Sequence, residues 1–139
     1  MGKLKKARKF SKFEYEKAPD IRRRALILIK ELQLDHLVVS RLFFYRSTGS
    51  KARAYARTWG LPKLWQNTLE IGPAYIIEVI SGYFDKLSLH DQDKVLLHEI
   101  SHIPKNFSGA LVPHTRKRKG SFRDKLEGLI ARYLENNNI

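Results

Sequence analysis

The chain has 139 residues, of which 42% are hydrophobic and 29% charged, with no cysteine. That size and apolar content suit one globular domain with a modest core, and no apolar run approaches the roughly 18 residues of a membrane span. The formal charge of +13 implies affinity for polyanions, and the lack of thiols fits the cytoplasm and leaves only imidazole and carboxylate groups to hold any metal.

Residues 1–9 are strongly basic, but no apolar stretch follows them, so they do not read as a secretory signal. Residues 1–18 are predicted to be a basic, flexible arm, with Phe10, Phe13 and Tyr15 interleaved among Lys9, Lys12 and Lys17. Such aromatics either stack on nucleic-acid bases or pin the arm to the domain. Residues 19–139 form the predicted single domain. Asp20 is the expected cap of a helix over 21–33 that buries Ile21, Ala25, Leu28, Ile29 and Leu32. Arg22, Arg23 and Arg24 then fall at the end that the helix dipole disfavours. Residues 37–46 are rich in β-branched and aromatic side chains and predict a strand, with a turn at 47–50. Residues 52–58 alternate, with Ala52, Ala54, Ala56 and Thr58 forming a small-residue face suited to lie under a helix. Residues 63–69 are ambiguous between strand and irregular structure. Residues 75–80 are the clearest strand, and 82–87 connect it to a helix capped by Ser88. Asp91 and Asp93 read as capping and surface groups. The expected last helix follows Ser121, with Phe122, Leu126, Leu129, Ile130, Tyr133 and Leu134 as its apolar stripe.

The helix after Ser88 ends in His98-Glu99-Ile100-Ser101-His102, an HExxH motif. Positions i and i+4 share one helical face, so both imidazoles can grip one zinc ion, and Glu99 can act as general base toward a water there. Pro104 should stop the helix just past His102. Gly109 lets the chain turn back, and Pro113 leads into His114, a third ligand that leaves one position open. Glu127 is a rival third ligand. His90 is excluded, because eight residues of helix separate it from His98 by about 12 Å.

The segment LLHEISHIP…FSGALVPH resembles the phage-type and archaeal metallopeptidases of the zincin group, and YIIEVISGYFDKLS resembles the strand and turn before their active-site helix. The resemblance implies an α+β fold: a minimal zincin-like arrangement of a small twisted sheet of three or four strands, an N-terminal helix, the HExxH helix and a C-terminal helix. It implies Zn2+ on His98, His102 and His114, with Glu99 as catalytic base in peptide hydrolysis. It also implies that strand 75–80 lies at the sheet edge and pairs with extended substrate, with Tyr75 and Ile77 in contact. Arg116, in the basic loop after His114, is expected at the rim of the site. Tyr133 and Arg116 are the candidate oxyanion stabilisers.

Other functions stay open at this level. The basic arm and the 116–125 loop, with six Lys/Arg, could recruit the protease to nucleic acid in the manner of crosslink-repair proteases. A non-enzymatic nucleic-acid-binding protein with a structural metal is the alternative from another class. A metal-dependent nuclease is weaker, because paired acidic ligands for magnesium are not evident. The expected partners are a protein or peptide substrate and, through the basic segments, nucleic acid, with no membrane association.

Overall fold

The computed structural model describes residues 12–114 and 122–137. The fold is α+β, a four-stranded mixed sheet with five helices. Strand β1 (Glu14–Lys17) leads into helix α1 (Pro19–Glu31), and a 3-10 turn (Val39–Arg41) opens β2 (Leu42–Thr48). Strand β3 (Ala56–Gly60), helix α2 (Lys63–Leu69) and β4 (Tyr75–Ile80) follow. Short α3 (Ser81–Phe84) then precedes α4 (Leu89–Ile100), and α5 (Phe122–Asn137) closes the described chain.

The sheet order is β1-β2-β4-β3, with β2 and β4 parallel and the other pairs antiparallel. In this register Leu42 stands beside Tyr75 and Phe44 beside Ile77. All four are buried, and with Val79 and Ala56 they form the sheet's side of the core. From α1 come Ile21, Ala25, Leu28 and Ile29, the face that the 3.6-residue period predicts. Leu96, Leu97 and Ile100 of α4 enter the same core.

Several expectations are corrected. Glu14–Lys17 belongs to the sheet rather than to a mobile arm, because its backbone pairs with Tyr45–Thr48. That pairing also extends β2 through Ser47 and Thr48, which the sequence marks as a turn. Residues 1–11 lie outside the described part. Ala18 and Pro19, not Asp20, open α1; proline suits the first helical position because that N–H needs no partner. Asp20 instead pairs with Arg46. The strand expected over 52–58 is displaced to 56–60, but Ala56 and Thr58 do turn toward α4. Residues 63–69 are a helix that buries only Gln66 and leaves Leu64, Trp65 and Leu69 exposed. An apolar face turned outward gives no inward periodicity to read. Leu134 is likewise exposed.

Two of the three arginines at the start of α1 face partners that the local sequence does not show. Arg22 donates to the Leu42 carbonyl at 3.0 Å. Arg24 makes two hydrogen bonds to the buried carboxylate of Asp93 on α4, at 2.7 and 2.5 Å. The Tyr133 hydroxyl of α5 donates to the same carboxylate at 2.7 Å. Asp93 is therefore the polar tie of three helices rather than a surface group.

Removing Arg24 would leave that carboxylate buried without its cation. Arg24→Ala should lower unfolding stability by about 3 kcal/mol, and Arg24→Met with Asp93→Leu should recover most of the loss. Denaturant melts of the two variants and the parent check this; equal stability of parent and Arg24→Ala would contradict it.

Candidate metal centre

Helix α4 begins as its sequence dictates: Ser88 Oγ accepts the Asp91 backbone N–H at 3.1 Å. It ends at Ile100, one turn short of Pro104, and the chain tightens there. The His102 N–H bonds to the Glu99 carbonyl at 3.0 Å, a bond back by three residues rather than four. His102 thus stays one turn from His98 although it lies beyond the regular helix.

The returning loop is bound to the second histidine. The Val112 N–H donates to the His102 carbonyl at 2.7 Å, and His102 Nδ1 lies 2.6 Å from the Val112 carbonyl. A carbonyl can only accept, so Nδ1 carries the proton, and Nε2 presents its lone pair. His114 then comes back over α4, with its Nε2 3.0 Å from that of His98. One donor atom from each of His98, His102 and His114 lies within 4.8 Å of the other two. A tetrahedral ion with nitrogens about 2.0–2.1 Å away sets those nitrogens about 3.3–3.4 Å apart, so the cluster fits a metal of that kind.

The far end of the loop is also held. The Tyr75 hydroxyl accepts the Gly109 N–H and donates to the Ala110 carbonyl, both at 2.7 Å. Its ring meets Phe107 edge-on. Gln66 of α2 donates to the Leu61 and Ser108 carbonyls. Gly109 has φ +98°, and a Cβ there would lie 2.3 Å from the Leu61 oxygen. Phe122, the first residue of α5, stacks on His102 at 4.2 Å and meets His98 and His114 edge-on. It forms the apolar wall behind the three rings.

Burial lowers the proton affinity of all three histidines. His98 is pushed down to about 4, with His102 and His114 adding to the effect. His102 is lowered by burial against its bond to Val112, and His114 by burial and by His102. All three are therefore neutral at pH 7, the state in which imidazole binds metal. Glu99 is buried too, and burial raises its pKa against the hydrogen bond from Thr58. Thr58 Oγ1 lies 2.8 Å from Glu99 Oε1. The four residues share a cleft of about 690 Å³, whose opposite wall runs from Tyr55 into the first residues of β3, Arg57 and Thr58 among them.

The sequence-predicted residues separate clearly. His98, Glu99, His102 and His114 come together. Tyr75 and Ile77 do not reach the cleft: β4 is interior to the sheet, and both side chains are in the core. The edge strand facing α4 is β3, so the expected substrate contacts of Tyr75 and Ile77 are replaced by a loop-holding role for Tyr75 and a packing role for Ile77. Glu127 is exposed and pairs with Arg123, outside the metal-binding group. Tyr133 is committed to Asp93, with His90 3.2 Å from its hydroxyl. Arg116, and residues 115–121 of the basic loop, lie outside the described residues. Thr58 and Phe122 are the contributors that sequence reasoning misses as site residues. Thr58 is legible only as part of a small-residue face, and Phe122 only as part of a helical stripe.

The α+β frame thus gathers three histidines able to hold one metal ion beside a buried glutamate. The family described as "Putative phage metallopeptidase" matches residues 13–128, most of the chain, and the protein belongs to that family. Neither a curated protein nor a solved structure gives a significant match.

Two measurements test this geometry. Gly109→Ala should displace the loop and weaken metal binding by at least about tenfold without touching a ligand, as seen for residues that orient ligands; unchanged affinity by competition with a chelating dye would contradict it. The second concerns the metal-free protein. The unfolded chain protonates its histidines near 6.5, whereas folded His98 does so near 4. Between these values the unfolded state binds more protons, so stability rises with pH. The denaturation midpoint should fall as pH drops from about 6.5 to about 4, and His98→Ala should flatten that dependence.

Proposed function

We propose that the protein is a zinc-dependent metallopeptidase, with His98, His102 and His114 as ligands and Glu99 as general base. The observation that carries this reading is the convergence of three neutral imidazoles beside a buried carboxylate whose hydrogen-bond partner is a hydroxyl, Thr58. Bound there, zinc would lower the pKa of a water and polarise the scissile carbonyl. Glu99 takes the proton from that water and delivers it to the leaving amine. Its raised proton affinity suits both halves of this task, since a stronger base also returns its proton to a still stronger one. Thr58 positions the carboxylate by donating to Oε1. The edge of β3 not bonded to β4 offers main-chain groups along the cleft, where an extended peptide can pair as an added strand. Main-chain pairing tolerates many sequences, so specificity would come from the cleft walls.

The donor set, three imidazole nitrogens, favours zinc over magnesium. The absence of cysteine supports placement in the cytoplasm. Among the described residues no helix is long and apolar enough to cross a membrane.

Elemental mass spectrometry of the purified protein should find about one zinc per chain, lost in His98→Ala and His114→Ala and kept in Glu127→Ala. Glu99→Gln should keep the metal and lose at least about 100-fold in cleavage of an unstructured protein substrate. Full zinc with undiminished cleavage in Glu99→Gln would remove Glu99 from the mechanism. Zinc with no cleavage in any form would leave a structural metal.

A further inference from the structure

The sheet has a second face, and it is unusually aromatic. Side chains alternate along a strand, so residues next to the core positions point away from α1 and α4. Lys17, Tyr45, Glu78 and Arg57 stand in one row across the four strands, and Phe43, Ile76 and Trp59 in the next. Tyr15, two residues before Lys17, lies on the same side. Its ring meets Tyr45 edge-on. Tyr15, Phe43, Trp59 and Ile76 are all at least 36% exposed. A cavity of about 390 Å³ lies between Tyr15, Tyr45, Trp59, Ile76 and Glu78.

This face is also pre-ordered. Trp59 Nε1 donates to Glu78 Oε1 at 2.8 Å, across to the neighbouring strand, which lays the indole over the sheet. Arg57 donates to the same oxygen at 3.2 Å, and its guanidinium sits 5.3 Å from the indole centroid. Glu78 is fully buried beneath them and pairs with Arg57, whose guanidinium stays partly exposed. Lys12, exposed just before β1, is a further cation on the same strand segment.

We propose that this outer face binds a single-stranded polynucleotide, with bases stacked on Tyr15, Tyr45 and Trp59 and phosphates met by Lys17 and Arg57. The three strands that carry the rings span about 14 Å, room for two or three bases, and every base has a face that can stack. Charge complementarity selects this occupant over a second copy of the chain, which would bring a net +13 against +13. A duplex, with its bases already stacked on one another, cannot use the rings. Arg57, on the edge strand, also borders the metal-site cleft, but the rings line a different cavity, and the proposal stands whether or not the protein cleaves peptides.

The test uses the full chain with a fluorescein-labelled 12-mer of oligothymidylate, the oligouridylate equivalent and a 12-base-pair duplex, followed by anisotropy at several salt concentrations. Either single strand should bind at least about tenfold more tightly than the duplex. Tyr45→Ala and Trp59→Ala should each weaken it about tenfold, while Tyr45→Phe, which keeps the ring, should bind as the parent does. In Trp65→Phe, where Trp59 is the remaining tryptophan, the strand should quench emission saturably. That variant and the Tyr45 pair decide the matter if Trp59→Ala fails a circular-dichroism check of its fold. Equal affinity for strand and duplex, unaltered by the ring substitutions, would overturn the proposal in favour of diffuse electrostatic binding. So would the absence of binding, or a sedimentation-detected dimer abolished by Tyr45→Ala with polynucleotide affinity unchanged.

Discussion

The reciprocal pairing of His102 with Val112 is the constraint on which the site depends. One hydrogen bond joins backbone to backbone, and the other joins the His102 ring to the Val112 carbonyl. Together they settle three matters at once. They hold the proton on Nδ1, turn Nε2 toward the other histidines, and bring the loop back so that His114 lands beside His98. Two histidines at i and i+4 on a helix are cheap to arrange, because the helix does it. A third from a loop must be held by something, since the eleven residues 103–113 as free loop would not keep the His114 imidazole 3.0 Å from that of His98. Tyr75, Gln66 and the left-handed conformation of Gly109 hold the other end of the same loop. The interior strand β4 therefore serves the candidate site by anchoring, through a tyrosine hydroxyl at its first residue, the segment that carries His114.

Three buried carboxylates differ in what compensates their burial. Asp93 has Arg24 and Tyr133; Glu78 has Arg57 and Trp59. Each is a charge taken from water and given a cation, and each ties elements together: α1 to α4 and α5 in one case, β3 to β4 in the other. Glu99 is buried to a similar degree, but its side chain meets the Thr58 hydroxyl, which carries no charge. Burial without a compensating cation is why its proton affinity rises while a guanidinium would have lowered it. A carboxylate left in that state is a poor structural element and a good proton carrier. Its position in the cleft, beside neutral imidazoles, agrees with that use.

The candidate site was more legible in the sequence than the fold around it. The spacing of His98 and His102, the stop at Pro104 and the flexible Gly109 follow from local rules, and each acts within a few residues of its partner. The cap at Ser88 and the buried face of α1 are legible for the same reason. What escaped was long-range. Whether strand 75–80 lies inside the sheet or at its edge is decided by pairing with Leu42–Ser47 on one side and Ala56–Gly60 on the other, and strand order leaves no local trace. Tyr75 and Ile77 were therefore expected in the cleft and lie in the core. Arg24 looked misplaced at the start of its helix because its partner is 69 residues away. Helix α2 was ambiguous because its apolar side chains point outward, the reverse of the pattern that periodicity detects.

The outer sheet face raises the same question from the other direction. A sheet in a chain of this size needs only one apolar face, and the face toward α1 and α4 already supplies the core. Alternation would then place polar side chains outside, yet this sequence places Tyr15, Phe43, Tyr45, Trp59 and Ile76 there. Folding does not require them, and exposed aromatic surface carries a solubility cost, so their presence asks for a use. The same face buries Glu78, which is expensive to place in a sheet interior, and spends both of its described hydrogen bonds on fixing Arg57 and Trp59. A packing role would be met more simply by an aliphatic residue at that position. Orientation of a cation and an indole is what the carboxylate achieves that an aliphatic side chain would not. The strand that ends the cleft on one side thus carries Thr58 toward the metal centre and Trp59 toward the opposite face. Adjacent residues of β3 are assigned to two different surfaces by nothing more than the pleat.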